Sequence, residues 1–212
     1  MLNLPVTTMP ESSAIALRPA TLGEIALLRR WDEQPQVVAA DPNDDWDWEV
    51  ELARTPAWRE QLIAELGGRP IGVVQIIDPA QEDSHYWGEV PANLRAIDIW
   101  IGEPTELGKG YGTTMMRLAL APCFADPLVT AVLIDPLDSN TRAHRFYQRL
   151  GFTFLEHRRF GDDDCSVYRL DRATWAEFNA KATSYGTEMI SGKRLPQDGQ
   201  CPPIPAHEQR LN

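Results

Sequence analysis

The stretch that most limits what this chain can fold into begins as an apolar run, Ala96-Ile97-Asp98-Ile99-Trp100-Ile101. A glycine-rich turn follows, Leu107-Gly108-Lys109-Gly110-Tyr111-Gly112, and the spacing predicts a helix from Thr113. A β-prone run, a glycine turn and a helix in that order make a strand-to-helix crossing. A helix start leaves backbone N–H groups unpaired and carries the positive end of the helix dipole. Glycines beside it let a ligand approach, so the segment reads as a cradle for an anion such as phosphate. A tight turn with no ligand is written with the same letters.

A second block sits downstream. Residues 130–134 read as a strand, followed by Asp135-Pro136-Leu137-Asp138-Ser139-Asn140 and a helical stretch, Thr141-Arg142-Ala143-His144-Arg145-Phe146-Tyr147-Gln148-Arg149-Leu150-Gly151-Phe152. Upstream, residues 14–19 form a first strand, and Thr21-Leu22-Gly23-Glu24 is a capping box opening a helix with Ile25, Leu28 and Trp31 on one face, ended by Pro35. A short helix is expected over residues 48–54, then a hairpin of residues 59–66 and 71–77 around Gly67-Gly68-Arg69-Pro70. A loop of residues 78–92 leads back to the glycine-turn strand. Two further strands, residues 154–159 and 165–170, flank the acidic turn Gly161-Asp162-Asp163-Asp164, and residues 171–182 read as a last helix bearing Trp175 and Phe178. The order is that of a mixed α/β (α+β) domain over residues 14–183, with an N-terminal tail, 1–13, and a polar, mobile C-terminal tail, 184–212.

With 43% hydrophobic residues in 212, the chain can bury a substantial core. No apolar run approaches the ~20 residues that span a bilayer, and the first residues lack the pattern of a signal peptide. Cys123, Cys165 and Cys201 are odd in number and widely spaced, which suits cytoplasmic thiols. The histidines show no metal-ligand spacing, so no metal is expected. A net charge of -11 argues against nucleic acid and favours cationic partners.

Together the glycine turn and the pattern Asn140, Ala143, Tyr147, Gly151-Phe152 resemble the GCN5-related N-acetyltransferase (GNAT) superfamily. Leu107 stands where that superfamily usually has Arg or Gln. The resemblance implies a mostly antiparallel sheet splayed open around acetyl-CoA and flanked by helices. It also implies that the cosubstrate is held by Ile99, Trp100 and Ile101 of the strand and by Leu107, Gly108, Lys109, Gly110, Tyr111, Gly112 and Thr113 of the turn. Asn140, Ala143 and Tyr147 complete that set, with Tyr147 as the acid for the departing thiolate.

Several further segments are similar to the aminoglycoside 6′-N-acetyltransferases: residues 83–89, Arg95-Ala96-Ile97-Asp98, the leucine-first glycine turn, Phe124-Ala125-Asp126-Pro127 and Asp135-Pro136. That similarity implies a cationic small-molecule amine as acceptor, with Asp98 beside the amine as base. Asp83, Asp135 and an acid of the last hairpin, Asp162 within the 162–164 triplet, would hold the acceptor's other charges. Plainer roles stand beside these. Asp98 also reads as a solvent-facing strand position, Asp135 and Asp138 as turn formers before Asn140, Tyr147 as a core aromatic and the triplet as a solvated turn. Other acceptors also stand: a polyamine, a peptide, or a siderophore precursor, although the group acting on the last carries histidine in place of Asp98. A module that binds acyl-CoA without catalysis is the third reading, and monomer and homodimer are both compatible with the sequence.

Overall fold

The computed structural model describes residues 14–43, 46–177 and 179. The chain divides into a unit of residues 1–176 and a remainder, 177–212. Both expected tails and Phe178 lie outside the described residues.

Strands β1 (Ile15–Pro19), β2 (Arg59–Leu66), β3 (Arg69–Ile77), β4 (Leu94–Ile101), β5 (Ala131–Ile134), β6 (Thr153–Phe160) and β7 (Asp163–Asp171) form one sheet ordered β1-β2-β3-β4-β5-β7-β6. The helices are α1 (Ile25–Asp32), α2 (Pro35–Val38), α3 (Trp48–Ala53), α4 (Tyr111–Ala125) and α5 (Thr141–Arg149). This is the expected mixed architecture, and no described helix is long and apolar enough to cross a membrane.

Local chemistry accounts for most boundaries. The Thr21–Glu24 capping box is formed and precedes α1, whose Leu28 and Trp31 are buried. Pro35 does not merely end a helix. It opens α2 at the first helical position, where its missing N–H is not needed. Arg69 already belongs to β3, so the β2–β3 turn narrows to Gly67-Gly68, both at positive φ (60° and 82°), as a tight hairpin requires. The last turn narrows likewise to Gly161-Asp162, because Asp163 and Asp164 pair with Phe160 and Arg159. Helix α4 starts at Tyr111 rather than Thr113, since Gly110 at φ 83° serves as its N-cap.

All neighbouring strands are antiparallel except β4 and β5, which pair in parallel only through Leu94↔Ala131, Arg95↔Val132 and Ala96↔Leu133. Beyond Ala96, β4 keeps its register with β3 as far as Ile101 while β5 ends at Ile134, so the sheet opens in its middle. Thr130 N–H donates to Asn93 C=O on the β5 side of β4, and Gly102 N–H donates to Ile71 C=O on the β3 side. Backbone groups alternate sides along a strand, so the N–H and C=O of Ile97, Ile99 and Ile101 face the opening.

The side chains also sort by face. On one face Val73 and Trp100 pack with Leu28, Trp31, Trp48 and Ile63, while Ile77 and Ala96 pack with Trp87, Leu94, Phe160 and Val167. Gln75 and Asp98, directly opposite in register, form a polar step between these two apolar clusters. On the other face, α4 lays buried Met115, Met116 and Leu120 over the sheet, and a Cβ at Gly72 would collide with the Trp100 carbonyl oxygen and stand 3.0 Å from the Met115 methyl.

Candidate active site

The opening between β4 and β5 is part of a cleft of about 710 Å³. At one end lies the start of α4. No side chain caps it; Thr113 N–H donates to Gly110 C=O at 3.0 Å, which leaves the N–H groups of Tyr111 and Gly112 for a ligand. Gly108 and Gly110 hold φ at 75° and 83°, and a Cβ at either would meet nothing within 4 Å. Backbone conformation, not crowding, therefore calls for glycine there. Leu107, Gly108, Gly110, Gly112 and Thr113 line the cleft, whereas Lys109 and Tyr111 do not. The Lys109 ammonium turns back 3.0 Å to Glu106, a buried carboxylate that also holds Arg69 at 2.7 Å. Hydrogen bonds from these two cations pull the Glu106 carboxyl below its usual range. They pin the loop just ahead of the glycines.

One wall comes from α5. Asn140 caps that helix, its Oδ1 accepting from Ala143 N–H at 3.1 Å, so its side chain sets the helix start. Ala143 and Tyr147 follow at helical spacing and face the cleft. Tyr147 is only 8% exposed and packs against Phe146 and Phe152. Burial first, then the charges of Asp98 and Asp135, push its phenol well above the ordinary range, so it remains an O–H donor.

The cleft is also acidic: Asp32, Asp41, Glu82, Asp98, Asp135 and Asp163 line it, with Trp46, Trp58, Tyr86 and Trp87 as apolar walls. Asp98 is half-buried in mid-strand. Asp135 accepts a hydrogen bond from Tyr86 Oη at 2.7 Å, and burial pushes its carboxyl up to about 6. Burial and the nearby Asp163 raise Asp41 as well, while Asn43 Nδ2 donates to Asp163 at 2.7 Å. Among cleft-lining cations, Arg59 is already paired with Glu51 and lies over the Trp58 ring. Arg142 and Arg149 lie on α5.

Two expected acids fall outside this cleft, each by one residue. Asp83 is exposed and paired with Arg54 at 2.8 Å, and its neighbour Glu82 lines the cleft instead. Asp162 is 90% exposed and paired with Arg159, because the narrowed turn leaves Asp163 as the acid facing inward. Asp138 turns aside to accept from Ser166 Oγ at 2.6 Å and to meet His157. The sequence reading missed Asp41, Glu82 and Gln75 as cleft residues. Gln75 alone left a trace, as the single polar side chain within Ile71-Gly72-Val73-Val74-Gln75-Ile76-Ile77.

An uncapped helix start behind two left-handed glycines, an open strand edge and a buried phenol are thus assembled around one cleft. Residues 21–160 match the family described as Acetyltransferase (GNAT) domain. The chain is a GNAT acetyltransferase. It is 31% identical over 157 residues to Aminoglycoside N(6')-acetyltransferase type 1 of Klebsiella pneumoniae, covering 66% of this chain and 75% of that one. It is 30% identical over 176 residues to Lysine N-acyltransferase MbtK of Mycolicibacterium paratuberculosis (strain ATCC BAA-968 / K-10), covering 75% and 74%. The solved structure of aminoglycoside acetyltransferase AAC(6')-Ib with coenzyme A and kanamycin superposes with a TM-score of 0.69 at 27% identity, over 77% of this chain and 98% of that one. The acetyltransferase uses acetyl-CoA as cosubstrate, and its residues fit that molecule. The α4 cradle suits a pyrophosphate, and the outward N–H and C=O of Ile99 with the N–H of Ile101, whose C=O is already met by Gln36 Nε2 at 3.5 Å, suit an amide-bearing arm.

Proposed function

We propose that this acetyltransferase acts on a primary amine of a cationic small molecule, the 6′-amine of an aminoglycoside. The observation that carries the reading is the gathering of carboxylates along the cleft that Tyr147 also lines, with Asp98 placed in mid-strand beside the open edge. Each charge-assisted contact to an ammonium contributes about 1.5 to 3 kcal/mol in a partly buried site. Several acids around one cleft therefore suit an acceptor with several ammonium groups better than one with a single charge.

Bound in the cleft, acetyl-CoA supplies the acetyl thioester. Asp98 holds the acceptor's ammonium, takes a proton from it directly or through water, and leaves a neutral amine able to attack. The N–H of Ile99 or Ile101 donates to the thioester oxygen as negative charge grows there. Tyr147 donates its proton to the departing sulfur, and the second proton that the attacking nitrogen sheds on forming the amide passes through water to restore the phenol. Asp135, Asp163 and Glu82 hold the acceptor's remaining charges. The matching relative that acylates lysine supports a second reading, an aliphatic side-chain amine.

Release of free CoA thiol separates the two. Kanamycin-type drugs bearing a 6′-amine are expected to release thiol briskly, while relatives with a hydroxyl at that position and free lysine derivatives do not. Equal rates with drugs of both kinds, or turnover of lysine derivatives alone, would remove the aminoglycoside assignment.

Asp135 adds a pH signature. Its carboxyl, raised from 3.8 to about 6, is charged above that value and neutral below it. Drug affinity should therefore fall as pH drops through 6, with KM rising several-fold between pH 7.5 and 5.5. Kinetics across that range should show the rise flattened in Asp135→Asn, which starts from the higher KM. A wild-type KM that stays level to pH 5.5 would take Asp135 out of the acceptor site.

A further inference from the structure

Gln75 is fully buried, and neither its Nε2 nor its Oε1 finds a partner among the described residues. Trp100 Nε1 is likewise buried without one. Both side chains line the cleft and flank Asp98: Gln75 is its cross-strand partner, and Trp100 lies two residues along β4 on the same face. Leaving a buried amide without partners is costly, and an apolar side chain like its neighbours in β3 would not incur that cost. Groups left in this condition inside a cleft point to a ligand.

The chemistry of that ligand follows from which hydrogen-bond groups are unmatched. An ammonium has only donors. It can satisfy the Asp98 carboxylate and Gln75 Oε1, but it leaves both N–H groups, Gln75 Nε2 and Trp100 Nε1, unanswered. An oxygen with free lone pairs beside the amine answers them. We propose that Gln75 and Trp100 read a hydroxyl or ring oxygen next to the amine that Asp98 holds, so that the acetyltransferase selects amino sugars over linear polyamines. This rests on the acceptor reading above and deepens it, since a polyamine satisfies the carboxylates equally well. Asp98 then reads the charge of the acceptor and its two neighbours read the oxygen.

The test compares kanamycin with spermidine in the full-length protein. Gln75→Met keeps the length of the side chain and removes both polar groups. The ratio of kcat/KM for kanamycin to that for spermidine should fall about tenfold or more, with KM for acetyl-CoA unchanged. Thermal unfolding should show the variant at least as stable as the wild type, because an orphaned amide has been removed from the free protein. Trp100→Phe keeps a ring and loses only the N–H, and should shift the same ratio in the same direction by a smaller factor. Gln75→Glu retains the oxygens and loses the donors, so it serves if Gln75→Met does not fold, with the same shift expected. Equal losses for both acceptors, or an unchanged ratio, would mean that an internal water satisfies these groups, and the proposal would fall. A wild type that does not turn over kanamycin fails earlier, taking the aminoglycoside reading and this one together. A wild type that prefers kanamycin while the variants keep its ratio overturns this inference alone.

Discussion

Asp98→Asn is expected to lower kcat by about 10²- to 10⁴-fold, the range a general base supplies. The amide keeps the shape of the side chain and its place opposite Gln75, but it cannot accept the amine's proton or balance the ammonium. The substitution leaves untouched the α4 start proposed to cradle acetyl-CoA, so affinity for that molecule should hold in calorimetry. Partial recovery of rate at high pH should accompany the loss, because there the amine deprotonates without help. A fall in kcat smaller than about tenfold, with a raised drug KM, would make Asp98 a binding group only.

Tyr147→Phe should reduce kcat about 10²-fold or more while leaving acetyl-CoA affinity nearly level. The ring contacts with Phe146 and Phe152 survive the substitution, so the variant tests the hydroxyl and not the packing. Burial and the two nearby carboxylates keep the phenol protonated, the state that the proposed acid role requires. Single-turnover rates are the measure, since slow product release would mask the effect. An unchanged single-turnover rate would return Tyr147 to the core.

What could be read from the sequence was what is local. The strand, glycine turn and helix around Gly110, and the helix from Thr141 with its Asn140 cap, are fixed by neighbouring residues and stand within a residue or two of expectation. The structure departs from expectation where turn length sets strand parity. A four-residue acidic turn leaves Asp162 free to face the cleft, whereas the two-residue Gly161-Asp162 turn gives that place to Asp163. The loop acid moved by the same single step, from Asp83 to Glu82, once Asp83 found Arg54. Gln75 was visible as an intruder in an apolar run, but its meaning depends on register with Asp98, which only strand pairing supplies. Pro35 shows the limit of punctuation residues: the same ring that stops one helix is suited to begin the next.

The early end of the β4–β5 pairing gives the sheet a third margin, inside the fold rather than at its rim. Open strand margins recruit foreign strands and seed aggregation, and proteins usually guard them with charge, proline or brevity. Here the guard is width. A second strand would need side chains on both of its faces, and it would run into Gly112, Thr113, Ala143 and Tyr147 along the walls. A slender arm with amides and no side chains meets no such obstacle. The feature that would make an ordinary sheet sticky is therefore better shaped for such an arm than for a second strand.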